Sequence, residues 1–114
     1  MKKIVAIVRA SKFEDVKEAL SEKEINFFSF YEVKGYGHQK SKSRSYKGAA
    51  YDIGYIPRIK LEILLSEPFA ESAVEAIKES AYTSENGDGL ITISSIDQII
   101  NIRTGLKGSE AINK

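Results

Sequence analysis

At 114 residues, with 42% apolar and 29% charged side chains, the chain has the composition of one ordinary globular domain with a single core. Its net charge of +1 gives no whole-molecule field toward nucleic acid, and the lack of cysteine excludes disulfides and thiol chemistry. No apolar run has the length of a signal-peptide core or a membrane span, so the chain reads as soluble and cytoplasmic.

Ile4 to Val8 is a continuous apolar, β-branched run, which predicts a strand buried on both faces. Ser11 followed by Glu14 has the spacing of a capping box and predicts a helix start. Phe13, Val16, Ala19 and Leu20 share one face of that helix, which should fade near Lys23. Phe27 to Val33 is aromatic and β-branched and predicts a second strand. Lys34 to Arg58 keeps no apolar period and reads as a long loop with four tyrosines, six basic residues and Asp52 as its one acid. From about Ser41 to Gly54 it is expected to be mobile without a partner.

Ile59, Leu61, Ile63 and Leu65 alternate as a third strand. Ser66-Glu67-Pro68 opens a second helix whose apolar face is Phe69, Ala73, Val74, Ile77 and Ala81. Asn86-Gly87-Asp88-Gly89 is a turn signal, Leu90 to Ile93 a fourth strand, and Ile100 and Ile102 a short fifth. Leu106 to Lys114 has no pattern and is expected to be a mobile tail. The order β-α-β-loop-β-α-β predicts an α+β, ferredoxin-like βαββαβ fold in one domain. Two helices cover one face of such a sheet, so a partner subunit is expected on the other.

The chemistry-bearing residues are sparse. No nucleophile stands with a histidine base and no metal ligands cluster, so no catalytic residue is assigned and an enzyme is not expected. His38 reads as an exposed loop residue, and Gly87-Asp88-Gly89 taken alone is more often a tight turn than a phosphate cradle. A basic, tyrosine-rich loop on this fold could suit RNA, but the third strand, Ile59-Lys60-Leu61-Glu62-Ile63, lacks an aromatic platform, so no nucleic-acid partner is expected.

Several segments share one likeness: Phe13-Glu14-Asp15-Val16-Lys17-Glu18-Ala19-Leu20, Glu32-Val33-Lys34-Gly35-Tyr36-Gly37 with Gln39-Lys40, Tyr46-Lys47-Gly48-Ala49-Ala50-Tyr51, Thr83 with Gly87-Asp88-Gly89, and Ile102-Arg103-Thr104-Gly105. With these in this order, the chain resembles the PII nitrogen-regulatory proteins over nearly its whole length. The resemblance implies a homotrimer with nucleotide sites in the clefts between subunits. It implies competitive binding of ATP or ADP, and of 2-oxoglutarate through Mg2+ when ATP is present. It also implies a long loop that docks on an ammonium transporter or a nitrogen-metabolism enzyme, with membrane association only through such a channel.

By position, the resemblance places Ile7, Ser29, Gly35, Gly37, His38, Gln39, Leu64, Gly87, Asp88, Gly89, Leu90, Asn101 and Arg103 at the nucleotide. It places Gln39, Lys40 and Arg58 at 2-oxoglutarate, Gln39 at the metal, and Tyr51 at the site some relatives modify. The chain departs from the pattern where the family normally has Arg (His38 and Asn101) and Lys (Leu90 and Arg58). Three phosphate-facing cations are thereby missing, so weak selectivity for ATP over ADP is expected. The alternative reading is a divergent trimer that has lost ATP and 2-oxoglutarate sensing and binds ADP, AMP or another ligand, or only docks partners.

Overall fold

The computed structural model describes residues 1–36 and 56–112. Four strands, β1 (Lys2–Arg9), β2 (Ser29–Gly35), β3 (Ile56–Leu65) and β4 (Gly89–Ser95), form one antiparallel sheet in the order β2-β3-β1-β4. Helices α1 (Phe13–Glu22) and α2 (Glu67–Ala81) form the second layer, and a one-turn α3 (Ser109–Ile112) closes the described chain. This is the ferredoxin-like arrangement expected from the order of apolar periods.

The pleat assigns every strand residue to a face. Ile4, Ala6 and Val8 of β1 and Ile59, Leu61 and Ile63 of β3 are buried beneath the helices. Val16 and Leu20 of α1, and Ala73, Ala76 and Ile77 of α2, meet them there. The packed face of α2 is largely alanine, and small side chains let its axis approach the layer below. Phe69, expected in that face, is instead 55% exposed, while Ala70 takes the inward position. An aromatic group of Phe13, Phe28 and Phe30 seals the β2 side, with ring centroids 4.8 to 6.3 Å apart.

The other face is open in a single chain. Val5 and Ile7 are half-buried, so β1 is fully buried on one face and only partly on the other. Beside them lie Leu64, Leu90 and Tyr31, all exposed. Lys3 pairs with Glu62 at 3.7 Å, the Tyr31 hydroxyl donates to Glu62 at 3.5 Å, and the Lys60 ammonium sits 5.8 Å from the Tyr31 ring centre.

Several boundaries differ from the sequence reading, each for a physical reason. No side chain caps α1: a 3₁₀ turn over Ala10–Lys12 leads into it, so Ser11 lies inside that turn and cannot act as N-cap. β2 begins at Ser29 rather than Phe27, and Lys34, Gly35 and Ile56 to Arg58 belong to strands because β2 and β3 pair as far as Gly35 and Ile56. The fifth strand is absent among the described residues. Ile100 makes one bridge to Lys107, and residues 102–104 form a turn between them. The tail is packed as far as α3, where Ala111 is buried. The stretch 37–55, which holds most of the expected loop, lies outside the described residues.

The end of α1 is a Schellman motif. The Glu24 amide donates to the Ser21 carbonyl at 2.8 Å, the Ile25 amide to the Leu20 carbonyl at 2.9 Å, and Ile25 is buried. Glu24 holds φ at 65°, a left-handed conformation that costs an L side chain about 1–2 kcal/mol. Glu24→Gly should therefore stabilise the fold by roughly 0.5–1 kcal/mol after the added unfolded-state entropy is counted. A rise in the urea midpoint at constant slope checks this; an unchanged or lower midpoint contradicts it.

Candidate functional site

The antiparallel register brings one end of the sheet together. Ile7 pairs with both Leu90 and Lys60, Val8 with Gly89, Arg9 with Arg58, and Val33 with Arg58. Gly35 and the turn from Thr83 to Gly89 therefore flank the C-terminal end of β1.

A carboxylate and two guanidinium groups hold that turn. Asp88 accepts the Thr83 amide at 2.6 Å, the Thr83 hydroxyl in a short hydrogen bond, and Arg9 Nε at 3.0 Å. Arg9 also donates to the Asn86 carbonyl at 2.8 Å, and Arg58 Nη1 donates to the Gly87 carbonyl at 2.6 Å. Burial works against the Asp88 charge, but the Thr83 and Arg9 hydrogen bonds outweigh it and hold the carboxyl at about 2. Arg58, only 9% exposed, has its pKa lowered by burial and by Arg9, while Asp88 opposes that shift.

These contacts aim the backbone. In a planar trans peptide the carbonyl and the next N–H point in opposite directions. Binding the Asn86 and Gly87 carbonyls to arginines directs the Gly87 and Asp88 N–H groups away from the guanidinium groups. Gly87 and Gly89 hold φ at 93° and 115°. A Cβ on Gly89 would be driven into the Ile7 carbonyl oxygen, so only glycine fits there. The result is a turn held on its carbonyl side, with the Gly87 and Asp88 amides on the side opposite the guanidinium groups; successive backbone amides of this kind can receive an anion without side-chain charge.

Asn101 organises a second segment. Its Oδ1 accepts the Arg103 and Thr104 amides at 2.9 and 3.0 Å, and its Nδ2 donates to the Ala111 carbonyl at 3.0 Å. Its own amide and carbonyl bond to Leu106 and Gly105. Both ends of the side chain are thus used inside the fold. Arg103 stands exposed beside it.

The residues singled out from the sequence separate into groups. Ile7, Gly35, Arg58 and Gly87 to Leu90 gather at the end of the sheet. Ser29 and Leu64 do not join them. Leu64 pairs with Lys3, four residues along β1 from Ile7, or about 13 Å away at strand rise. Both lie on the open face, where Ser29 pairs with Glu62. Gly37, His38, Gln39, Lys40 and Tyr51 fall outside the described residues. The sequence reading missed Arg9, and took Asn86 only as part of a turn signal. The parity of β1, which puts Arg9 on the Ile7 face, was a visible hint, but its partner depends on a pairing 79 residues away.

The family model for Nitrogen regulatory protein P-II matches residues 1–106. The chain belongs to the P-II family. Proteins named Nitrogen regulatory protein P-II are 41% identical in Azospirillum brasilense and 45% identical in Cereibacter sphaeroides, each over 112 residues covering 98% of this chain and 100% of the relative. The P-II protein of Rhizobium meliloti is 42% identical over the same span. These relatives are regulatory proteins by name. Among the described residues of this P-II chain, no helix is long and apolar enough to cross a membrane, and no three His, Cys, Asp or Glu side chains gather as metal ligands.

The depressed pKa of Asp88 ties the turn to pH. A carboxyl at about 2 when folded and 3.8 when unfolded contributes on the order of 1 kcal/mol at neutral pH once solvent screening is allowed for. That contribution is complete above roughly pH 4 and is lost as pH falls through 2. Asp88→Asn should be less stable than the unmodified protein at pH 7 by about this amount, with the difference closing toward pH 2. Denaturant titrations at several pH values measure it; a difference independent of pH would contradict the role given to the charge.

Proposed function

We propose that this P-II protein is a nitrogen-signalling subunit that binds an adenine nucleotide against the Gly87–Gly89 turn, in a cleft between copies of itself. It would control an ammonium transporter or a nitrogen-assimilation enzyme through the segment between β2 and β3. The observation that carries the reading is the turn itself, whose Asn86 and Gly87 carbonyls are held by Arg9 and Arg58, which turns the following amides away from those cations. The separation of Ser29 and Leu64 from that turn, about 13 Å along the open face, suits a site shared by two copies in which these residues come from the neighbouring chain. The half-buried Val5 and Ile7 and the exposed Leu64 and Leu90 supply an apolar face for such contact. A homotrimer meets both requirements. Light scattering at micromolar concentration should give three times the chain mass of 12.7 kDa, and a stable monomer would count against the shared site.

Binding of 2-oxoglutarate with Mg2+ is part of the proposal, with Gln39 as metal ligand and Lys40 and Arg58 as cations for the carboxylates. Gln39 would hold the metal, which would supply positive charge to anionic oxygens, and Lys40 and Arg58 would supply charge and orientation to the organic acid. Modification of Tyr51 belongs to the same reading.

Two observations favour a site that holds the inner phosphates better than the terminal one. Leu90, 72% exposed beside Ile7, offers no donor. Asn101 is spent on its own segment. Backbone donors can still hold an α- or β-phosphate. ATP and ADP should therefore bind with similar affinity by titration calorimetry. Leu90→Lys alone should tighten ATP by about tenfold, and ADP by less, since a hydrogen bond to a charged group contributes about 1.5–3 kcal/mol. An unmodified protein that binds ATP at low micromolar Kd, far tighter than ADP, would show that other cations serve the terminal phosphate.

A further inference from the structure

Arg58 does more at this site than wait for a carboxylate. Its Nη1 donates to the Gly87 carbonyl at 2.6 Å, and the residue is 9% exposed. Its Nε lies 3.3 Å from where a Cβ on Gly35 would stand, so the last residue of β2 is a glycine where the guanidinium passes. Arg9, its register partner on β1, takes the adjacent carbonyl of Asn86 and the Asp88 carboxylate. One buried side chain thus connects the end of β2, the start of β3 and the turn before β4.

We infer that Arg58 is a positioning residue for nucleotide: by holding the Gly87 carbonyl it turns the Asp88 amide toward the phosphate, and does so without any 2-oxoglutarate. The inference rests on the nucleotide reading and deepens it. Rotation of the Gly87–Asp88 peptide would replace an outward N–H donor by a carbonyl oxygen, which repels an anion. Gly87, at φ 93°, gives that peptide no steric barrier of its own, so the orientation depends on what binds the carbonyl. A lysine ammonium can make the same bond to the carbonyl. A glutamine at this position carries no charge and is shorter.

The test compares Arg58→Gln, Arg58→Lys and Gly35→Ala in the full chain, by calorimetry with ADP in the absence of 2-oxoglutarate and by amide hydrogen exchange without ligand. Arg58→Gln should weaken ADP by at least about tenfold and speed exchange at Gly87 to Gly89 by a similar factor, leaving β1 and β3 protected. Arg58→Lys should restore both to within about threefold, because one donor to the carbonyl suffices. Gly35→Ala crowds Nε without removing charge and should weaken ADP by about threefold. If Arg58→Gln does not fold, Gly35→Ala decides, and unchanged ADP affinity in it overturns the inference. Unchanged ADP affinity in a folded Arg58→Gln, with loss of 2-oxoglutarate binding alone, also overturns it and leaves Arg58 as a carboxylate ligand only. If the unmodified protein binds no ADP at all, the nucleotide reading fails. Exchange at Gly87 to Gly89 then still decides whether Arg58 holds the turn, and no change in Arg58→Gln overturns that.

Discussion

The Asp88 carboxylate and the two arginines that meet its turn are the contacts on which the functional end of the molecule depends. A half-buried carboxylate beside two cations is favourable only if each charge finds a partner. Here Asp88 takes Thr83 and Arg9, Arg9 reaches on to Asn86, and Arg58 reaches Gly87. Thr83 serves Asp88 from within the turn, but neither arginine could be satisfied by its own element. The turn leaves α2 and enters β4, Arg9 ends β1, and Arg58 opens β3. The network therefore forms only when β1 has paired with both neighbours in the observed register. A shift of one residue would put Arg9 on the helix-covered face, where Ile4, Ala6 and Val8 lie, and strand the carboxylate.

The same register creates the unequal faces of the sheet. The helix-covered side is finished by aliphatic residues, the alanines of α2 and three phenylalanines. The open side mixes Val5, Ile7, Leu64 and Leu90 with Lys3, Lys60 and Glu62, which pair among themselves and with Tyr31. Such a surface suits contact with a second copy. It is apolar enough to be worth covering and carries polar groups that already have partners. In the proposed shared site, nucleotide binding at its edge would be coupled to assembly, with Ser29 and Leu64 supplied by a neighbouring chain.

The fold was largely legible because its signals are local. Alternation in β3 and the 3.6-residue period in α1 are visible within ten residues. The failures follow from non-local effects. Ser11 and Glu14 have capping-box spacing, but the chain leaving β1 enters a 3₁₀ turn first, so the motif has no helix end to cap. Ile100 and Ile102 alternate as in a strand, yet the side chain of Asn101 between them gathers the following amides and folds the chain into a turn. Phe69 has the right period for the core but sits at the entry of α2, where Ala70 meets the layer below. The candidate site was legible in part. Gly87 to Gly89 reads as a tight turn, and the family resemblance is needed to mark it and Arg58 as site positions, whereas Arg9 is visible only once strand pairing brings it to Asp88.

Asn101, where the family resemblance leads to the expectation of an arginine, has a role of its own in the fold. An arginine has donors only, so it could not accept the Arg103 and Thr104 amides. With asparagine in place, the backbone from Ile99 to Gly108 is held by Asn101, by the Gly108 amide on Ile99 and by the Thr104 hydroxyl. The anchoring Nδ2 bond to Ala111 fastens α3 to the same segment. The position thus serves the stability of the C-terminal segment, and Arg103 is left as the cation that this segment presents. Leu90 makes a parallel exchange on β4, adding apolar area beside Ile7 where a lysine would have placed charge. The Gly87–Gly89 turn, whose carbonyls are held by Arg9 and Arg58, would then be the principal anion-binding element of the proposed nucleotide site.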